Sequence, residues 1–150
     1  MPAGADYSMF KEGIFPDWED PRNQDGGRWM ITMDKRRREL LDTYWLEIMF
    51  FLIGEHADQH AYQVELCLFL MFIKLMNLFQ VSGAVVNIRM RTDKLAVWLG
   101  DASREEAVVA IGRMLRQRLE LGTNTSLGFT VHTEEKSQTR PGPGKVKYSA

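Results

Sequence analysis

The chain has 150 residues, 45% of them hydrophobic and 26% charged, which suits a single core and excludes both a disordered chain and a multidomain enzyme. Lys and Arg number 19 against 20 Asp and Glu, a net charge of -1, so any contact with nucleic acid must come from local clustering of charge. One cysteine, Cys67, excludes a disulfide framework and a multi-cysteine zinc site and suits a reducing compartment, the cytoplasm first and the nucleus second.

Met1 to Phe10 carries Asp6 and lacks a cationic start leading into an apolar run, so it does not read as a secretory signal. Residues 1 to 27 have no sustained periodicity and contain Pro16, Pro21, Gly26 and Gly27, which predicts a loop-rich beginning and a turn before a short strand, Arg28 to Met33. From about Arg38 to Ile53 the spacing is helical. Leu41, Trp45, Ile48 and Leu52, with Tyr44 beside them, form the core stripe, while Leu46, Phe50 and Ile53 make a second apolar side that something must cover. Val64 to Phe79 is the one hydrophobic block, 13 apolar residues in 16, but Glu65, Lys74 and its length argue against a membrane span.

Ala84 to Arg91 and Lys94 to Trp98 alternate as two strands of a hairpin turning at Thr92 and Asp93, which gathers Arg89, Arg91, Lys94 and Trp98 on one face. A longer loop with a shifted register is the alternative, because Thr-Asp is not a favoured two-residue turn. Ser103 and Glu106 are spaced as a capping box for a helix with Ala107, Val108, Ile111, Leu115 and Leu119 on its stripe and Gly122 at its end. Ser126 to Val131 suits a last strand, and residues 133–150, with Pro141-Gly-Pro-Gly144, read as a mobile tail. The fold class is α+β with mainly antiparallel hairpins.

Three features exceed what a bland domain needs. Trp18 and Glu19 sit in the proline-bracketed loop Phe15 to Pro21, where the indole has no stripe to join; it either anchors its own loop or is presented to solvent. If presented, the indole can stack on a base and the carboxylate can accept from the N–H groups of a guanine edge. The cations of the hairpin face either bind a chain of phosphates or are simply solvated. The double-sided helix either is sandwiched in the fold or offers Leu46, Glu47 and Phe50 to a partner's amphipathic helix. His56 and His60 have a metal-compatible i, i+4 spacing but lack the H-E-x-x-H pattern and follow a helix-ending Gly54, so no metal or cofactor is expected.

The stretches Phe15-Pro-Asp-Trp-Glu-Asp, Gly26-Gly-Arg-Trp-Met-Ile-Thr, Trp45-Leu-Glu, Leu52-Ile-Gly-Glu, Ser82-Gly-Ala-Val-Val-Asn-Ile-Arg, Asp93-Lys and Ile111-Gly-Arg resemble the eukaryotic translation initiation factor 4E family over most of Tyr7 to His132. The resemblance implies a domain over 1–132 with a curved antiparallel sheet backed by helices. It implies a cap-binding protein of translation initiation that acts in the cytoplasm within the factor 4F complex, and not an enzyme. On that resemblance Trp18 stacks on the methylguanosine, Glu19 reads the guanine edge, Arg89, Arg91 and Lys94 hold the cap phosphates, and Trp98 touches the methyl group. Leu46, Glu47 and Phe50 match the surface that receives the scaffold factor 4G and the 4E-binding proteins; the implied partners are these and capped messenger RNA, with no membrane. The family pattern also carries strands, a helix and a second tryptophan ahead of the Tyr7 region, so the sheet is expected to be incomplete on its N-terminal side. Residues 64–80 are an insert that the pattern does not require. A rival reading is an interaction module that sequesters partners and binds cap weakly.

Overall fold

In the segment Gly27–Asp34 every second side chain, Trp29, Ile31 and Met33, is buried, while Thr32 and Asp34 are exposed, the alternation of a strand with one face on a core. The computed structural model describes residues 1–53, 81–133 and 146–150. In chain order its elements are β1 (Asp6–Phe10), β2 (Gly27–Asp34), α1 (Arg38–Ile53), β3 (Val81–Asn87), β4 (Thr92–Leu99), α2 (Glu105–Arg118), β5 (Leu127–Val131) and β6 (Tyr148–Ser149). They form one open antiparallel sheet in the order β1-β3-β4-β2-β5-β6. A register shift between Val81 and Gly83 marks an irregularity in β3 of the kind that bends a strand, and the sheet is curved.

Both helices cover the same face. α1 packs on β2, β3 and β4 through Leu41, Ile48 and Phe51, with Tyr44, Trp45 and Leu52 half-buried, so the true inner stripe takes in Phe51 and leans away from Trp45. α2 lies on β5 and β6 and is fastened where the Trp29 indole donates to the Val108 carbonyl at 2.9 Å, both inside the core. A side chain at Gly112 would meet that indole, so glycine sets how closely the helix approaches.

Four local expectations give way to tertiary context. The beginning of the chain is a strand, β1, paired with β3 from Asp6↔Asn87 to Phe10↔Gly83. The capping box does not form: Ser103 turns its hydroxyl and amide to Asp101, at 2.6 and 2.8 Å, and α2 begins at Glu105. The stop comes before Gly122, since the Leu121 and Glu120 amides donate to the Arg116 and Gln117 carbonyls and Glu120 adopts the left-handed conformation, φ 47°. The end of the chain is no free tail: Tyr148 and Ser149 pair with Phe129 and Gly128, and only residues 134–145 of the expected tail lie outside the described residues. The 64–80 insert and the histidines at 56 and 60 also lie outside them.

Candidate functional site

Strand register sorts the sheet into two faces. Opposite the core face stand Asp6, Ser8 and Phe10 of β1, Val85 and Asn87 of β3, Lys94, Ala96 and Trp98 of β4, Arg28, Met30 and Thr32 of β2, and Thr130 of β5. This second face carries no helix among the described residues, and Asp6, Ser8, Thr32 and Lys94 on it are exposed.

One end of the face is aromatic. Trp98 stands opposite Gly83, which stands opposite Phe10, and the missing side chain at Gly83 lets the Phe10 ring reach the indole edge-on at 5.6 Å. The His132 ring lies 4.4 Å from the indole on another side, and the Arg28 guanidinium sits over it at 5.6 Å. Trp98 is therefore buried in this end of the face rather than offered as a free surface.

The Trp18 loop crosses the same end of the sheet. It leaves β1 at Phe10 and enters β2 at Gly27, which pairs with Leu99 beside Trp98, and the Ala102 amide donates to its Asp25 carbonyl at 2.9 Å. Its shape is set from within. The fully buried Asn23 amide donates to the carbonyls of Phe15 and Asp17, each at 2.9 Å, and the Asp20 carboxylate accepts from the amides of Phe15 and Arg22. Those two amides hold the Asp20 carboxyl below its ordinary value. The Asp17 carboxylate accepts from the Glu19 amide at 3.0 Å, and the Gln24 amide donates to the Glu19 carbonyl at 2.9 Å. Between these ties Trp18 stays 38% exposed, and Glu19 is exposed beside it.

The other end is cationic, and there the expected hairpin turn is corrected. The connection is the longer loop 88–91, while Thr92 and Asp93 belong to β4, so Lys94 faces Asn87 and not Arg91. Asp93 is buried, its carboxylate held by the Arg38 fork at 2.8 and 2.9 Å and by the Arg89 amide at 3.0 Å, a set of partners that a solvated turn lacks. These bonds, the Arg38 pair first, keep the Asp93 carboxyl below its ordinary value. Arg89 is forked onto Asp6 at 2.5 and 2.9 Å, with Asn87 donating to the same carboxylate. That pairing lowers the Asp6 pKa and raises that of Arg89. Arg91 and Lys94 are exposed.

On the far side of the molecule Leu46 is 52% exposed and Phe50 half-buried on the outer side of α1. Glu47 is tied to Arg118 of α2 at 2.9 Å. Among the described residues no group of three or more His, Cys, Asp or Glu could hold a metal, and no helix is long and apolar enough to cross a membrane.

Three residues of the site, Arg28, Asn23 and His132, were missed in the sequence. Arg28 had a signal, since alternation in β2 opposes it to the buried Trp29. His132 had none, because its role arises from a contact 109 positions away, its Nδ1 bond of 2.8 Å to the Asn23 carbonyl, and Asn23 had none because the folded loop decides which carbonyls its side chain serves.

Fold and face together define an α+β protein with an open sheet face, aromatic at one end and cationic at the other. The family model of eukaryotic initiation factor 4E matches residues 1–145. The chain is 39% identical over 138 residues to eukaryotic translation initiation factor 4E-1A of Danio rerio, covering 91% of this chain and 56% of that protein. It is 40% identical over 137 residues to Homo sapiens factor 4E, covering 91% and 55%. Thus it spans about half the length of the curated relatives it matches. Among solved structures it is similar to Ascaris suum eIF4E-3 with m2,2,7G cap, at TM-score 0.76 and 32% identity over 99% of this chain and 71% of that one. A schistosome eIF4E complexed with m7GpppG and 4E-BP gives TM-score 0.74 and 35% identity over 100% and 72%. The chain belongs to the eukaryotic initiation factor 4E family.

Proposed function

We propose that this chain binds the methylguanosine cap of messenger RNA, in translation initiation in the cytoplasm, as a binder and not an enzyme. The observation that carries the reading is the Trp18 loop: an exposed indole and carboxylate held by a buried Asn23, at the same end of the sheet as Trp98. Methylation makes the base cationic, so stacking on Trp18 gains cation-π attraction that plain guanine lacks. Glu19 accepts from the guanine edge. Arg91 and Lys94 reach the phosphates directly, and Arg89 does so while its other contacts hold it on Asp6. Cap complexes of family members support this reading.

Calorimetric titration with methylated and plain GTP tests it. The methylated nucleotide should bind more tightly, Trp18→Ala should weaken it about tenfold to a hundredfold, and three phosphate contacts should give a log-log salt slope of about -2. Equal affinity for the two nucleotides would falsify the proposal.

A second surface rests on α1, where Leu46 and Phe50 leave an apolar side uncovered and Glu47 borders it. We infer that it receives an amphipathic helix of the scaffold factor 4G or of a 4E-binding protein, as the 4E-BP complexes of relatives support. Leu46→Ala should abolish capture of such a peptide and leave cap binding intact; capture without any cap retention would favour a partner-sequestering module.

A further inference from the structure

The open face has a direction. From Trp98 to Lys94 along β4 is four residues, about 13 Å, so a ligand with its base at the Trp18 end and its phosphates at Lys94 and Arg91 runs toward the Thr92 end of the strand. Its covalent continuation must leave over that end. There Thr92 pairs with Asp34, and the next three residues, Lys35, Arg36 and Arg37, form an exposed turn before α1.

This turn is built into the cation end of the face. The Asp34 carboxylate accepts from the Arg36 amide at 2.9 Å and caps the turn. Arg38, the next residue, grips Asp93 and also donates to the Arg89 carbonyl at 2.7 Å, so the basic turn is tied to loop 88–91. Lys35, Arg36, Arg37, Arg38, Arg89, Arg91 and Lys94 gather at this end against Asp6, Asp34, Glu39 and Asp93, in a chain whose net charge is -1. Arg89 and Arg38 neutralise Asp6 and Asp93. Among the described residues Lys35, Arg36 and Arg37 join no ion pair. Of the four consecutive cations only Arg38 forms a salt bridge among the described residues, Lys35 adds a weaker charge attraction to Asp93, and three like charges side by side on a short exposed turn favour the approach of a further anion.

We propose that Lys35, Arg36 and Arg37 bind the phosphodiester backbone of the RNA nucleotides that follow the cap. The proposal rests on the cap-binding reading and adds a second, sequence-independent site to it. Backbone contacts of this kind release counterions, so their signature is a steeper salt dependence for capped RNA than for a cap dinucleotide.

The test titrates the full chain with m7GpppG, with a capped RNA of ten nucleotides and with the same RNA uncapped, between low and physiological salt. The capped ten-mer should bind at least tenfold more tightly than the dinucleotide at low salt. The triple variant Lys35→Gln, Arg36→Gln, Arg37→Gln should erase that advantage and flatten the ten-mer's slope by about 2, leaving the dinucleotide unchanged. The pair Arg36→Lys and Arg37→Lys keeps the charge and should keep the advantage. A ten-mer that binds no better than the dinucleotide, or a triple variant that retains the advantage, overturns the proposal. So does an acidic decapeptide that displaces the ten-mer at equal concentration, which points to a protein partner. If the dinucleotide fails to bind while the triple variant still loses uncapped RNA, the cap reading falls and the RNA surface stands.

Discussion

His132 donates through Nδ1 to the main-chain carbonyl of Asn23 at 2.8 Å, while its ring lies 4.4 Å from that of Trp98. A carbonyl can only accept, so Nδ1 carries the proton. The bond joins the end of β5 to the residue whose side chain shapes the Trp18 loop, and it makes His132 a positioning residue for Trp18 and Glu19. His132→Ala should therefore weaken methylated-cap binding about threefold to tenfold, the worth of one hydrogen bond. His132→Gln, which can still donate, should recover part of it. Calorimetry on both variants, beside their melting temperatures, checks this; a lower melting temperature with unaltered cap affinity would mean a purely structural histidine.

Asn23 is fully buried, and its amide serves two carbonyls at once. Asn23→Ala leaves the Phe15 and Asp17 carbonyls unanswered and should cost about 1–3 kcal/mol in urea denaturation. Asn23→Asp keeps the volume but turns a carboxylate toward the same carbonyls and should cost at least as much. In both, limited proteolysis should cut first between residues 15 and 23.

Acid should loosen the cation end of the sheet. Asp93 titrates in the folded chain below its ordinary value of 3.8, chiefly because of the Arg38 hydrogen bonds. Its contribution to stability is complete above that ordinary value, declines as the pH drops below it, and vanishes once the pH falls through the lowered folded value. Asp6 follows the same sense through Arg89. Asp93→Asn should be less stable than the parent at neutral pH, and its stability should change less between about pH 5 and pH 2, as read from melting temperatures across that range.

Glu120 is exposed and holds a left-handed backbone, φ 47°, at the position after α2 where glycine is the usual occupant. Glu120→Gly should raise stability by about 0.5–1 kcal/mol, the relief of that conformation less the extra freedom of glycine in the unfolded chain. Thermal unfolding of the variant decides it, and an unchanged or lower midpoint would refute the strain argument.

Gly112 faces the Trp29 indole across the contact between α2 and the sheet. Gly112→Ala, though better suited to a helix, should destabilise by about 1–3 kcal/mol through overpacking. Trp29→Phe combined with it should return part of the loss, because the smaller ring makes room; denaturant titration of the single and double variants measures this.

Local spacing along the chain was enough for the two helices, for the central strands β2 and β4, and for the proline-bracketed loop that presents Trp18 and Glu19. Each of these writes its pattern within one turn, one pleat or a few residues, where a side chain's neighbours are also its neighbours in sequence. The edge strands β1 and β6 left no such trace, since an edge is buried on too little of its surface to demand strict alternation, and their pairing comes from partners far along the chain. Tertiary structure alone decided how the charges are used: Arg89 meets Asp6 across 83 positions, Asp93 is drawn into the core by Arg38, and His132 reaches Asn23. Strand register brings these groups within hydrogen-bond range, and register is a property of the whole sheet that no single segment encodes.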